Sequence, residues 1–123
     1  MALDSGRPRD AFALCGKVLA RHPDNAEALN LAGVAAFQSG DAAEARSLLE
    51  TAIAFRPGFA DALNNLGQVY EFLNRTDDAI DAYRKAVTAI PGFAPALANL
   101  GTALLQKGEA EEAVDCFEGA LKD

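Results

Sequence analysis

Small and apolar residues return to the same places every 34 positions along the chain. Counted from Ala26, the fourth place of successive units is Leu29, Leu63 and Leu97, and the eighth is Gly33, Gly67 and Gly101. The twentieth is Ala45, Ala79 and Ala113, and the twenty-fourth is Leu49, Tyr83 and Phe117. The twenty-seventh is Ala52, Ala86 and Ala120, and the thirty-second is Pro57 and Pro91. The register holds without a gap over units 26–59, 60–93 and 94–123. A fixed period of this length marks a repeat architecture, one supersecondary unit used again and again. Polar clusters at Ser39-Gly40-Asp41, Asn74-Arg75-Thr76-Asp77 and Lys107-Gly108-Glu109 divide each unit and read as turns.

Each unit therefore splits into two helices. The first spans about 26–38, 60–73 and 94–106; the second spans about 43–56, 77–90 and 110–122. Asp41, Asp77 and Glu109 fall near the second helix starts, where a negative charge suits the helix dipole. Pro57 and Pro91 stop the second helices, because proline lacks an N–H and clashes with the preceding turn. Small residues at the eighth, twentieth and twenty-seventh places let two helices approach closely. The large residue at the twenty-fourth place fills the space between them.

Residues 1–25 fit the tail of an earlier unit. Gly6 falls at its fifteenth place, Ala11 at the twentieth, Cys15 at the twenty-fourth and Pro23 at the thirty-second. Its second helix covers about 8–21. The expectation is one domain overall, with three hairpins, one leading helix and no separate capping helix. Helical arrays need polar end caps for solubility. Phe12, Leu14 and Val18 at one end, and Val114, Phe117 and Leu121 at the other, are expected to be half covered. Two explanations stay open and are compatible. The chain is a piece of a longer protein, or other copies cover its ends in a homo-oligomer by end stacking through Phe12, Leu14, Phe117 and Leu121.

Composition narrows the function. The formal net charge is −7, which argues against nucleic acid or an anionic membrane as the main partner. No apolar run approaches the ~18 residues of a membrane span. The start, Met1 to Asp10, lacks the basic and apolar segments of a secretory signal. The two cysteines, Cys15 and Cys116, lie near opposite ends and read as small apolar fillers in a reducing, cytoplasmic setting. The single histidine, His22, reads as an exposed residue at a helix end. The sequon Asn74-Arg75-Thr76 is read as chance without a secretory signal. There is no phosphate-binding glycine loop, no metal-ligand spacing and no nucleophile elbow. The chain is expected to need no cofactor or metal and not to be an enzyme.

The motif Leu63-x2-Leu66-Gly67-x2-Tyr70, followed by Ala79, Tyr83, Ala86 and Pro91, resembles the tetratricopeptide repeat (TPR). The first unit departs from it with Ala32 and Ala36, and the third has Leu104 for the tyrosine. The resemblance spans about residues 4–123. It implies an all-α, right-handed solenoid of antiparallel helix hairpins. The wording "PGFADALNNLG" is also similar to the superhelical TPR domain of O-linked N-acetylglucosamine transferase. That similarity leaves a reading as the substrate-recognition segment of a larger glycosyltransferase.

In stacked hairpins the first helices line a concave groove. The second, fifth, sixth, ninth, twelfth and thirteenth places are expected to face it. These places hold the candidate peptide-binding residues Asn30, Phe37, Asn64, Asn65, Gln68, Glu71, Phe72, Asn99, Thr102 and Gln106. None of the eleven Lys and Arg residues lies in the expected first helices, and the amides concentrate there. A carboxamide offers both donors and an acceptor, which suits it to a peptide backbone. Asn65 and Asn99 share the sixth place and resemble the asparagine ladder of that transferase; the alternative is an ordinary solvated helix face. The basic clamp that other TPR domains use for acidic chaperone tails is missing. With Glu27, Asp61 and Glu71 present, the expected partner is a neutral to basic extended protein segment. Reversing the charge at Glu71 is expected to alter such binding and to leave folding nearly untouched.

Overall fold

Side-chain caps mark the start of two of the helices. The computed structural model describes residues 8–122, and all regular structure in that range is helical. The elements are α1 (Pro8–Arg21), α2 (Ala26–Gln38), α3 (Ala42–Phe55), α4 (Ala60–Phe72), α5 (Thr76–Ala89), α6 (Ala94–Lys107) and α7 (Ala110–Leu121). Every expected helix is present, each within one residue of the expected bounds. Gly6, assigned to the leading partial unit, lies outside the described residues.

Asn25 Oδ1 accepts the Ala28 N–H at 2.9 Å and opens α2. Asp41 Oδ1 accepts the Glu44 N–H at 3.1 Å and opens α3 one residue earlier than expected. Each bond satisfies one of the N–H groups that a helix start leaves without an internal partner. Asp77 lies inside the first turn of α5, and Glu109 precedes α7 without a side-chain cap bond. The turn inside each hairpin passes through one residue at positive φ: Gly40 at 91°, Asn74 at 60° and Gly108 at 90°. These positions are 34 apart, and they hold the two residue types that adopt this backbone most cheaply.

The chain divides into two compact units, Met1–Pro57 and Gly58–Asp123. In the first, α1 packs on α2, and α2 pairs with α3. Its core holds Ala11, Leu29, Ala32, Ala45, Leu49 and Ala52, with Leu49 set against the backbone of Gly33. In the second, α4 pairs with α5 and α6 with α7, while α6 also packs on α5 and touches α4. Its core gathers Ile80, Tyr83, Leu97, Leu100, Leu104 and Cys116, with Val87 and Phe117 packed at its edge.

The eighth and twenty-fourth places meet in every hairpin. A Cβ added at Gly67 would stand 2.3 Å from Tyr83 Cε1; at Gly101 it would stand 2.8 Å from Phe117 Cε1. The Tyr83 ring is fully buried, whereas Phe117 is half-buried and can yield. Gly67→Ala is therefore expected to cost about 1–3 kcal/mol of overpacking, and Gly101→Ala clearly less. Gly108→Ala meets no atom within 4 Å, so its cost of about 1 kcal/mol comes from the backbone alone. Urea unfolding of the three variants checks this order.

Candidate peptide-binding surface

Helical spacing puts two matching trios on the outer faces of α4 and α6. Asn65, Gln68 and Phe72 stand at i, i+3 and i+7 of α4, and Asn99, Thr102 and Gln106 repeat them 34 residues later on α6. Gln68, Phe72, Thr102 and Gln106 are exposed, and Asn65 and Asn99 are half-buried. Thr102 Oγ1 donates back to the Ala98 carbonyl at 3.1 Å. Phe72, at 64% exposure, and Leu105 supply apolar area at the C-terminal ends of the two helices. Phe37 is half-buried on α2.

Three expectations are corrected here. The fifth place was expected to face outward, yet Asn64 and Asn30 are both buried. Asn64 faces the neighbouring helix, and its Oδ1 accepts from Asn99 Nδ2 at 2.9 Å. This bond uses one donor of Asn99, an expected ladder residue, to tie α6 to α4. Glu71 is not a free groove carboxylate: it accepts a hydrogen bond from the Tyr83 hydroxyl. Burial, reinforced by the Glu71 bond and charge, drives the Tyr83 hydroxyl far above the ordinary tyrosine range, so it remains a donor. Finally, α6 runs one residue further than expected and ends on Lys107, a cation inside a first helix.

Lys107 is spent locally, on Asp77. Both belong to an open polar cleft of about 490 Å³ with Asn74, Arg75, Thr76, Asp78 and Gln106. Arg75 Nε pairs with Asp78 Oδ2 at 2.8 Å, and its guanidinium lies 5.1 Å from the centre of the Tyr70 ring. Across α5 and α7, Arg84 grips Glu112 with two nitrogens, one at 3.0 Å from Oε1. That hydrogen bond holds the Glu112 carboxyl below the usual range. Sequence reasoning missed these ties. The 34-residue register could have paired Asn64 with Asn99, since adjacent places of consecutive units are neighbours.

The end residues also divide. Phe12 and Leu14 are partly open, near the half coverage expected, and Leu121 is more exposed than that. Phe117 is half-buried, as expected, with its ring set against Gly101. Cys15 and Cys116 are free and buried. Burial raises both thiols, and the Glu112 charge adds to the rise at Cys116, so neither is a thiolate nucleophile near neutral pH. Among the described residues no helix is long and apolar enough to cross a membrane.

Stacked hairpins with an exposed polar face on their first helices define the class: an all-helical, repeat-built protein-interaction scaffold. The chain belongs to the tetratricopeptide-repeat family. One family model described as tetratricopeptide repeat matches residues 2–58 and 73–123, and a second matches 39–95. The fold is similar to a crystal structure of MamA at 36% identity and a TM-score of 0.89, over 98% of this chain and 71% of that one. A second MamA crystal structure gives 36% identity and a TM-score of 0.86, over 98% of this chain and 66% of that one. MamA MSR-1 C2, at 24% identity and a TM-score of 0.76 over 97% of this chain and 68% of that one, shares the fold. No curated protein sequence matches the chain.

The Glu71 contact reverses one expectation about stability. Glu71→Lys leaves the buried Tyr83 hydroxyl without its acceptor and is expected to cost about 1–3 kcal/mol. Glu71→Gln keeps an acceptor oxygen and is expected to cost clearly less. Thermal unfolding of the pair reads the difference.

Proposed function

We propose that the face built by Asn65, Gln68, Phe72, Asn99, Thr102 and Gln106 grips an extended, neutral to basic protein segment, without catalysis. The observation that carries this reading is the return, 34 residues apart on α4 and α6, of a half-buried asparagine followed by two exposed side chains at the same places. Its amides and hydroxyl match both the N–H and the C=O of a backbone. The cations beside it, Lys107 and Arg75, are engaged by Asp77 and Asp78. No ion pair holds Asp61 on α4 among the described residues. An acidic segment therefore finds no counter-charge there. The free thiols Cys15 and Cys116 support a reducing, cytoplasmic setting.

A second reading, self-association, is favoured by the exposed apolar side chains Phe12, Leu14, Val114 and Leu121 on α1 and α7. The reading as part of a glycosyltransferase rests on sequence resemblance alone, and its chemistry would lie outside this chain.

An array of immobilised twelve-residue peptides of acidic, neutral and basic composition tests the first reading. Neutral and basic members are expected to bind at micromolar strength, since ordering a flexible chain takes back part of the contact energy. Gln68→Ala combined with Phe72→Ser is expected to weaken them about tenfold, a change of ~1.4 kcal/mol. Both side chains are exposed, so helicity by circular dichroism stays at the parent level. Preference for acidic peptides, or indifference to the double substitution, would refute the assignment.

A further inference from the structure

The repeat supplies an internal comparison for α7. Val114 and Leu121 occupy the places of Ile80 and Val87 on α5. There, α6 covers the pair, and Ile80 is only 7% exposed. On α7 the same stripe is open, with Val114 at 53% and Leu121 at 83% exposure. The stripe is thus built from the same kind of side chains that receive a helix one unit earlier.

Charge selects the helix that fits it. Within α7 there are four acidic residues and no basic one. Glu111 and Glu118 flank the stripe, at i−3 and i+4 from Val114. Among the described residues, neither has an ion-pair partner. The first helix of the chain carries the opposite pattern. Leu14 and Val18 stand exposed at i and i+4, at 54% and 40%. Lys17 and Arg21 flank them, also at i and i+4, and neither has an ion-pair partner among the described residues. In all, α1 holds three basic residues and one acidic one.

We propose that α7 of one copy packs on α1 of a second copy, apolar stripe to apolar stripe and acidic flank to basic flank. The inference rests on the self-association reading and gives it a polarity. The contact joins two different surfaces, so it is heterologous and propagates into a ring or an open filament. Like-with-like pairing, α1 on α1 or α7 on α7, would bring equal charges together and is disfavoured.

The test is sedimentation velocity on the full chain across a concentration series. The parent is expected to associate, and more weakly as added salt shortens the screening length from ~30 Å at about 0.01 M to ~3 Å at about 1 M. Lys17→Glu with Arg21→Glu, or Glu111→Lys with Glu118→Lys, is expected to weaken association tenfold or more, as roughly befits like charges placed face to face. An equimolar mixture of the two double variants is expected to associate again, because each supplies the charge that the other lost. Leu14→Ser provides an uncharged check on the same face, and circular dichroism confirms the fold of each. Oligomers indifferent to all these changes would overturn this interface and leave self-association by another surface. A monomer at every concentration would overturn both.

Discussion

Each hairpin closes around one contact: a glycine at the eighth place against a large side chain at the twenty-fourth. The missing Cβ at Gly67 lets the Tyr83 ring lie on the backbone of α4, closer than any side chain would permit. That closeness fixes the separation of the two helices. It also has a consequence for Tyr83. A fully buried tyrosine brings its hydroxyl inside, where an unpaired donor is expensive. Glu71 on the opposite helix supplies the acceptor. Leu49 and Phe117, at the same place in the other hairpins, carry no polar atom and need no such partner.

From this closure follows the division of labour between helix faces. The eighth place of α4 turns toward α5, so the ninth and thirteenth, Gln68 and Phe72, are left outside. The same holds on α6 for Thr102 and Gln106. The spacing between the two outer faces is set by a second device, the bond from Asn99 to buried Asn64. An amide pair in that position is directional and desolvated on one side, so it fixes one lateral arrangement of α4 and α6. Rigid placement of this kind lowers the ordering cost of gripping a flexible chain.

The repeat itself was legible, because period, turn residues and prolines act locally and recur in register. All helix bounds follow from those signals to within one residue. Contacts between helices were less legible. Asn64 and Asn65 are adjacent identical residues, and composition cannot say which of them is buried against α6. Glu71 looked like a solvated charge because its partner is twelve residues away, across the hairpin. Lys107 escaped the helix count by a single residue of helix, closed only at Gly108 in the left-handed region. In each case the missing information was a side-chain direction, which helical periodicity leaves ambiguous by about one place.

Charge completes the argument, because most of the cations are already committed. In residues 58–122, Arg75, Arg84, Lys85 and Lys107 each pair with an acid. Two of those pairs, Arg84 with Glu112 and Lys107 with Asp77, run between helices at the exposed surface. Of the basic residues in this range only Lys122 is left without an ion pair among the described residues, and the surplus that remains on this unit is acidic. Its α4–α6 face presents neutral dipoles, whose contacts depend little on salt. The free positive charges of Lys17 and Arg21 stand instead on α1, and the free negative charges of Glu111 and Glu118 on α7. The two proposed contacts therefore differ in their physics. One kind is local, amide-based and tolerant of salt. The other is oppositely charged at its two halves and weakens as salt is added.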